Sequence, residues 1–234
     1  MKMNLVNPII GNGFIAKNFL KIQNKLIKSK VILYAAGISD SKTIKKKEFT
    51  KEFSRIKFYI SKLDKKKLFI YISSFTVFDP MRNKSPYIKN KIKIEKYLKR
   101  KNINYLIIRL PEVIGKSKNK KTLINFIYHR IKKGKKFDLW KNSLRNIVDI
   151  NDCVKIVEKI IISKYIKKKS INLISKHFYS VEEIVKIIET KLKKKANYDS
   201  VFFKKISFKK YKPYYIKDTY NKSLYLKNII KRYY

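Results

Sequence analysis

The chain holds only five glycines in 234 residues, and four of them fall in three short stretches. These are Ile9-Ile10-Gly11-Asn12-Gly13-Phe14-Ile15-Ala16, then Tyr34-Ala35-Ala36-Gly37, then Arg109-Leu110-Pro111-Glu112-Val113-Ile114-Gly115. Glycine is kept where the backbone must take a positive φ or come very close to another group. The first stretch follows an apolar run and opens a helical pattern, so it reads as strand, turn, helix. Such a turn exposes amides, and the helix start carries partial positive charge, which suits a pyrophosphate. An ordinary strand-to-helix turn has the same residues, so this stretch alone does not decide.

Periodicity orders the rest. Residues 4–10 read as a buried strand, although Pro8 is awkward inside a central one. Residues 14–22 read as a short helix, 31–36 as a fully apolar strand, and 48–63 as a helix with Phe49, Phe53, Ile56 and Ile60 on one stripe. A strand over 68–73, a helix over 87–101 and a strand over 105–110 follow. Strands alternating with helices predict an α/β fold, a parallel sheet with helices on both faces. Beyond Gly115 the texture changes: helices over 122–132 and 150–162, a short strand over 170–174, and weak alternation over 201–208. Ser180-Val181-Glu182-Glu183 is a capping box that opens a helix over 181–194. The expected organisation is a core over 1–115 and a small C-terminal lobe over 116–234, with helix 150–162 packing back on the core.

The formal net charge is +44, from 60 basic and 16 acidic residues. Nucleic acid or an anionic membrane is one reading. AT-rich codon usage is the other: only seven of the 60 are Arg, the residue that reads bases bidentately, and the lysines are spread along the whole chain. The second is favoured, so no specific nucleic acid is expected as a partner. No apolar run reaches the ~18 residues of a membrane span, and the first ten residues are too short for a secretory signal. The single cysteine, Cys153, allows no internal disulfide. A cytoplasmic protein without membrane insertion is expected. His129 and His177 lie far apart without metal-ligand spacing, so no metal site is expected.

Two patterns carry chemistry. Tyr87 and Lys91 stand four apart and share a helix face. An ammonium beside a phenol favours the phenolate, lowering a tyrosine from its reference near ~10 towards working pH. Such a phenol can exchange a proton with a sugar or alcohol hydroxyl, though in a chain with 17 tyrosines the spacing also arises by chance. Ser73 and Ser74 end the strand Leu68-Phe69-Ile70-Tyr71-Ile72. The carboxyl end of a parallel strand faces the ligand crevice, and a strand-end turn serine is the plainer alternative.

Taken in order, these stretches resemble the extended short-chain dehydrogenase/reductases, the NAD-dependent epimerase/dehydratase group that acts on nucleotide sugars. Gly13-Phe14-Ile15-Ala16 is similar to that family's Gly-Phe-Ile-Gly, and Tyr34 to Gly37 to its cofactor-lining strand end. Ile72 to Phe78 resembles its serine strand, and Ser85-Pro86-Tyr87-Ile88-Lys89-Asn90-Lys91, with Glu95 beyond, its reactive helix. Arg145-Asn146-Ile147-Val148-Asp149-Ile150-Asn151-Asp152 resembles the segment whose arginine binds the substrate diphosphate. The resemblance implies a Rossmann-like sheet, NAD or NADP as cofactor, a nucleotide-sugar substrate and a homodimer through helices that include the tyrosine helix. It implies Ser74, Tyr87 and Lys91 as the reacting set. Gly11, Gly13, Phe14, Ile15, Ala36, Gly37, Ser73, Lys91, Leu110 and Pro111 would contact the cofactor. Ser74, Glu112 and Arg145 would contact the substrate.

The departures are informative. Only 20 residues lie between Gly13 and Tyr34. A full dinucleotide half would hold two more strands there and an acidic residue for the adenosine ribose. Residues 23–30 leave room for one stunted strand at most, so the sheet is shortened by about two strands and the adenine half is cut down. A direct link from the first helix to the neighbouring strand also raises the question of which sheet face that helix covers. Phe75-Thr76 stands where the family's sugar dehydratases carry Asp-Glu, which disfavours dehydration, and Glu112 replaces an asparagine that often contacts substrate. The sequence therefore points to an NAD(P)-dependent epimerase or keto-reductase of a nucleotide-linked sugar serving surface polysaccharide. The alternative is a non-catalytic relative that binds a nucleotide or a protein partner.

Overall fold

The computed structural model describes residues 7–79, 85–117, 119–120, 122–163, 168–202, 214–215 and 221–234. The chain divides into two compact units, residues 1–110 with 153–173, and residues 111–152 with 174–234.

The first unit is a parallel sheet. Its strands β1 (Ile9–Ile10), β2 (Val31–Tyr34), β3 (Leu68–Ser74), β4 (Asn104–Leu110) and, reached later in the chain, β8 (Lys169–Ile174) lie in that order. Every neighbouring pair is parallel. The strands read as near-continuous apolar runs because helices cover both faces. Helices α1 (Phe14–Phe19), α2 (Gln23–Lys28), α3 (Lys46–Ser61) and α4 (Pro86–Arg100) connect them. Residues 23–28, expected to hold at most a stunted strand, are α2, because Phe19, Ile22 and Leu26 recur at helical spacing and are buried. The strand expected over 4–10 is reduced to Ile9–Ile10 among the described residues; positions 4–6 lie outside them. β1 is the edge strand, which accommodates Pro8, whose carbonyl accepts from the Leu33 amide at 2.7 Å.

The faces are sorted by strand alternation. Ile10, Ile32, Tyr34, Phe69, Tyr71, Tyr105 and Ile107 form one buried cluster with Ile56 and Ile60 of α3 and Ile94 and Leu98 of α4. Ile9, Leu33, Ile70 and Leu106 point to the other face. There α2 meets α6 (Ile150–Ile162) through an ion pair of Lys25 with Glu158. Strand order advances in one direction from β1 to β4, yet the first crossover covers one face and the next two the other. The first crossover therefore has the opposite hand from the β2–β3 and β3–β4 connections, a rare arrangement for parallel strands.

The second unit collects β5 (Glu112–Ile114), α5 (Leu123–Lys132), β6 (Phe137–Lys141), β7 (Leu144–Asp149), β9 (Phe178–Ser180), α7 (Val181–Leu192), β10 (Tyr198–Phe202) and α8 (Lys222–Tyr233). β7 pairs in parallel with β5 and antiparallel with β9, while β6 and β10 form a parallel pair. Ile124, Ile127 and Ile131 of α5, Ile184, Val185 and Ile188 of α7, and Tyr225, Leu226, Ile229 and Ile230 of α8 share its core. The capping box read at Ser180 is present, with Ser180 Oγ accepting from the Glu183 amide at 3.0 Å and Glu183 from the Ser180 amide at 2.6 Å. The weak strand read over 201–208 begins earlier, at Tyr198; positions 203–208 lie outside the described residues. Helix α8 carried no motif, and a buried carboxylate anchors it. Asp149 accepts from Arg232 Nη1 at 2.5 Å, the Tyr233 hydroxyl at 2.8 Å and the Asn151 amide at 2.8 Å. Asp149 thus braces the start of α6 and holds the last turn of α8. Beside it, the Tyr225 hydroxyl donates to Asp152 at 2.9 Å. Burial first, then the Asp149 carboxylate, pushes the Tyr233 phenol up to about 12. Among the described residues, no helix is long and apolar enough to cross a membrane.

Candidate functional site

The turn after β1 is built for close approach. Gly11 has φ +134°, and a Cβ placed there would lie 2.8 Å from the Ala35 carbonyl carbon and oxygen and 2.9 Å from the Ala36 nitrogen. The glycine therefore lets the turn abut the end of β2, where Ala35 and Ala36 sit. Gly13 is different. It is the N-cap of α1 in extended geometry, φ −78° and ψ −176°, with no side-chain cap, and a Cβ there would meet nothing within 4 Å. The first amides of a helix have no intrahelical acceptor, so Gly13, Phe14 and Ile15 leave an open, uncapped helix start beside the β2 end.

Helix α4 brings Tyr87 and Lys91 to the sheet. Pro86 stands at its first position, where the missing N–H costs nothing. Its buried face carries Ile88, Ile94 and Leu98, but also Asn90, Lys91 and Glu95. Polar groups buried on the core-facing side of a helix need partners, and each has one.

Lys91 is 3% exposed, and its ammonium donates to Glu52 Oε1 of α3 at 3.1 Å. Glu52 is equally buried and gathers three further donors: the Tyr71 hydroxyl at 3.3 Å, Asn90 Nδ2 at 3.0 Å and the Ile38 amide at 3.4 Å. The ammonium lies 5.1 Å from the Tyr71 ring centre and 5.6 Å from that of Tyr87. Burial first, then the Glu52 carboxylate, raises the Tyr71 phenol well above its ordinary value, so Tyr71 stays protonated and donates. The whole group fills the space above Gly37, where a Cβ would fall 2.5 Å from Lys91 Nζ and 3.0 Å from Glu52 Oε1. Gly37 thus makes room for an ion pair of this chain.

A second network lies along the same face of β3 and β4. The Ser73 hydroxyl donates to Glu95 Oε1 at 2.7 Å. Arg109 donates to both Glu95 oxygens, from Nε at 2.9 Å and Nη2 at 2.5 Å, and from Nη1 to Asn172 Oδ1 at 3.2 Å. Ser73, one of the residues expected at the cofactor, has its hydroxyl engaged by Glu95. Ser74, next along β3, exchanges a hydrogen bond of 2.7 Å with the Thr76 hydroxyl and caps the 3-10 turn that follows by accepting from the Thr76 amide at 3.3 Å.

The chain therefore joins Lys91 with Tyr87, Glu52, Tyr71 and Gly37. Among the described residues, no hydrogen bond links Ser74 to Tyr87 or Lys91, and the hydroxyl of the half-buried Tyr87 bonds to none of them. Ala36, Gly37 and Leu110 lie at the carboxyl ends of β2 and β4. Pro111, Glu112 and Arg145 belong to the second unit, where the Arg145 guanidinium donates to the Leu144 carbonyl at 3.1 Å and sits 5.6 Å from the Trp140 ring centre. The loop before Pro86 lies outside the described residues over positions 80–84. Sequence reasoning missed Glu52. The available signal was a carboxylate four and eight residues before Ile56 and Ile60, on the buried stripe of α3.

The model of the NAD dependent epimerase/dehydratase family matches residues 62–173, which carry Ser74, Tyr87, Lys91, Arg109 and Arg145 but not the glycine turn. The resemblance read from the sequence holds over that stretch. No curated protein matches the chain by sequence. Among solved structures, RMD from Pseudomonas aeruginosa, complexed with NADPH, superposes with a TM-score of 0.66 at 12% identity, over 96% of this chain and 98% of that one. UDP-glucose 4-epimerase from Thermotoga maritima, with UDP-glucose, gives 0.63 at 13% identity, over 94% and 81%. UDP-glucuronic acid 4-epimerase from Bacillus cereus, with UDP-glucuronic acid and NAD, gives 0.62 at 20% identity, over 92% and 80%. At these identities the likeness establishes the Rossmann-like fold.

Proposed function

We propose that this protein is an NAD(P)-dependent epimerase or keto-reductase of a nucleotide-linked sugar. The observation that carries the reading is the Lys91 ammonium, buried and held 5.6 Å from the Tyr87 ring, while the Tyr87 hydroxyl makes no hydrogen bond to any described residue. A phenol left free beside a fixed cation is suited to exchange a proton with a substrate hydroxyl.

The residues present suit a nicotinamide dinucleotide. Gly13, Phe14 and Ile15 would receive its pyrophosphate on the open start of α1. Lys91 uses one ammonium proton on Glu52, leaving two for a ribose hydroxyl. The cofactor would supply a hydride acceptor and donor at the sugar carbon. Tyr87 would take the proton from the sugar hydroxyl and return it when a carbonyl is reduced. Ser74 would orient the reacting oxygen, giving up its Thr76 hydrogen bond to do so. Arg145 would grip the substrate diphosphate, a charge-assisted contact. UDP-sugars of the kind bound by the epimerases above are the first substrates to try.

The test is Tyr87→Phe, assayed for NAD(H)-dependent turnover of UDP-glucose and UDP-glucuronic acid. Loss of a positioned acid/base should lower turnover by about a hundredfold to ten-thousandfold, with the unfolding transition unchanged. Equal activity in variant and wild type removes Tyr87 from the reaction. The shortened nucleotide half, with β1 at the sheet edge, favours a second reading, a non-catalytic nucleotide binder. Nucleotide binding by a wild type that turns over none of these sugars would support it.

A further inference from the structure

We propose that Glu52 is the positioning residue for Lys91, so that the grip of Lys91 on a nicotinamide cofactor depends on a carboxylate from a different helix. The proposal rests on the function proposed above and goes beyond it by adding a residue that no motif contains.

Three observations carry it. Glu52 and Lys91 are both buried, with side chains 2% and 3% exposed, so their 3.1 Å contact is shielded from water. Every donor around Glu52 converges on it: Lys91 and Asn90 from α4, Tyr71 from β3 and the Ile38 amide from the loop after β2. The ammonium rests directly above Gly37, at the carboxyl end of β2, the side on which parallel sheets take ligands. A lysine has a long, mobile stem, and nothing on α4 alone would hold its end over Gly37. The carboxylate from α3 supplies that anchor at 3.1 Å.

Among the described residues, the charged and titratable groups facing Lys91 are Glu52 on α3, Tyr71 on β3 and Tyr87 on α4. Glu95 and Tyr34 lie further out, around Tyr71. Of these, Tyr71 is held protonated by burial, which leaves Glu52 as the anion in contact with the ammonium.

The test compares the wild type, Glu52→Gln, Lys91→Met and the double variant by calorimetry with NADH. Thermal unfolding is followed in parallel. Lys91→Met should weaken NADH binding about tenfold or more, and Glu52→Gln by a similar factor. Adding Glu52→Gln to Lys91→Met should cost no further affinity, because residues that act through one another are not additive. A role in folding alone would give the same loss with or without Lys91. That result overturns the proposal, as does unchanged affinity in Glu52→Gln while Lys91→Met is weakened. Unchanged affinity in Lys91→Met, or no NADH binding by the wild type, overturns the cofactor reading itself and this inference with it.

Discussion

Gly11 and Gly13 stand two residues apart, and the structure assigns them opposite sensitivities. In Gly11→Ala the new methyl would lie under 3.0 Å from three backbone atoms of Ala35 and Ala36, and backbone cannot swing aside as a side-chain end can. Overpacking of this kind costs about 1–3 kcal/mol. The φ of +134° strains any residue with a Cβ, which adds about 1–3 kcal/mol. The sum, roughly 2–6 kcal/mol, is a large part of the 5–15 kcal/mol that typically holds a domain together. At roughly 2–4 °C per kcal/mol for a chain of this size, Gly11→Ala should melt many degrees below wild type. In Gly13→Ala the methyl meets nothing within 4 Å and φ is an ordinary −78°. A small loss in cap preference is offset by the smaller entropy of the unfolded chain. Stability should stay within about 0.5 kcal/mol, while the methyl intrudes on the space a pyrophosphate would use. The assay is urea unfolding of both variants with NADH calorimetry on whichever folds. A Gly11→Ala protein as stable as wild type would refute the packing argument. A stable Gly13→Ala protein with undiminished NADH affinity would refute the phosphate role of that turn.

Two further outcomes follow from the polar networks. Arg109→Met leaves the buried Glu95 carboxylate and Asn172 without their guanidinium and should destabilise by about 3–5 kcal/mol. Adding Glu95→Met should recover most of that in chemical denaturation, and a loss below about 1 kcal/mol in the single variant would contradict the network. At Glu183, burial acts to raise the carboxyl, but Lys222 at 2.6 Å and the Ser180 amide outweigh it and hold the group below the usual carboxylate range. A depressed folded value stabilises above the unfolded value near ~4.3 and is lost as pH falls through the folded one. The stability gap between wild type and Glu183→Gln should therefore narrow from pH 7 to pH 3. A gap independent of pH would show that the ion pair is not responsible.

How much of this was legible in the chain can be judged from particular residues. Parallel strands buried on both faces leave an apolar signature, and β2, β3 and β4 were readable to within two residues. The Ser180 capping box was readable because both of its bonds join residues three apart. Tyr87 and Lys91 were readable as partners for the same reason, since one helical turn brings them together. Glu52 was not, because 39 residues separate it from Lys91 and its helix was legible only through its apolar stripe. Helix α8 was overlooked because its anchor, Asp149, lies 83 residues from Arg232.

The sequence by itself determined the strand–helix alternation, the glycine turn and the pairing of Tyr87 with Lys91, because each rests on contacts within a turn or two of the backbone. Tertiary structure alone decided three things. The first crossover runs over the opposite face from the next two, Ser73 turns its hydroxyl to Glu95, and Gly37 shelters an ion pair. The reason is common to all three. Which sheet face a helix covers, and which distant carboxylate a buried cation finds, depend on the packing of segments far apart in the chain, and local periodicity does not encode that packing.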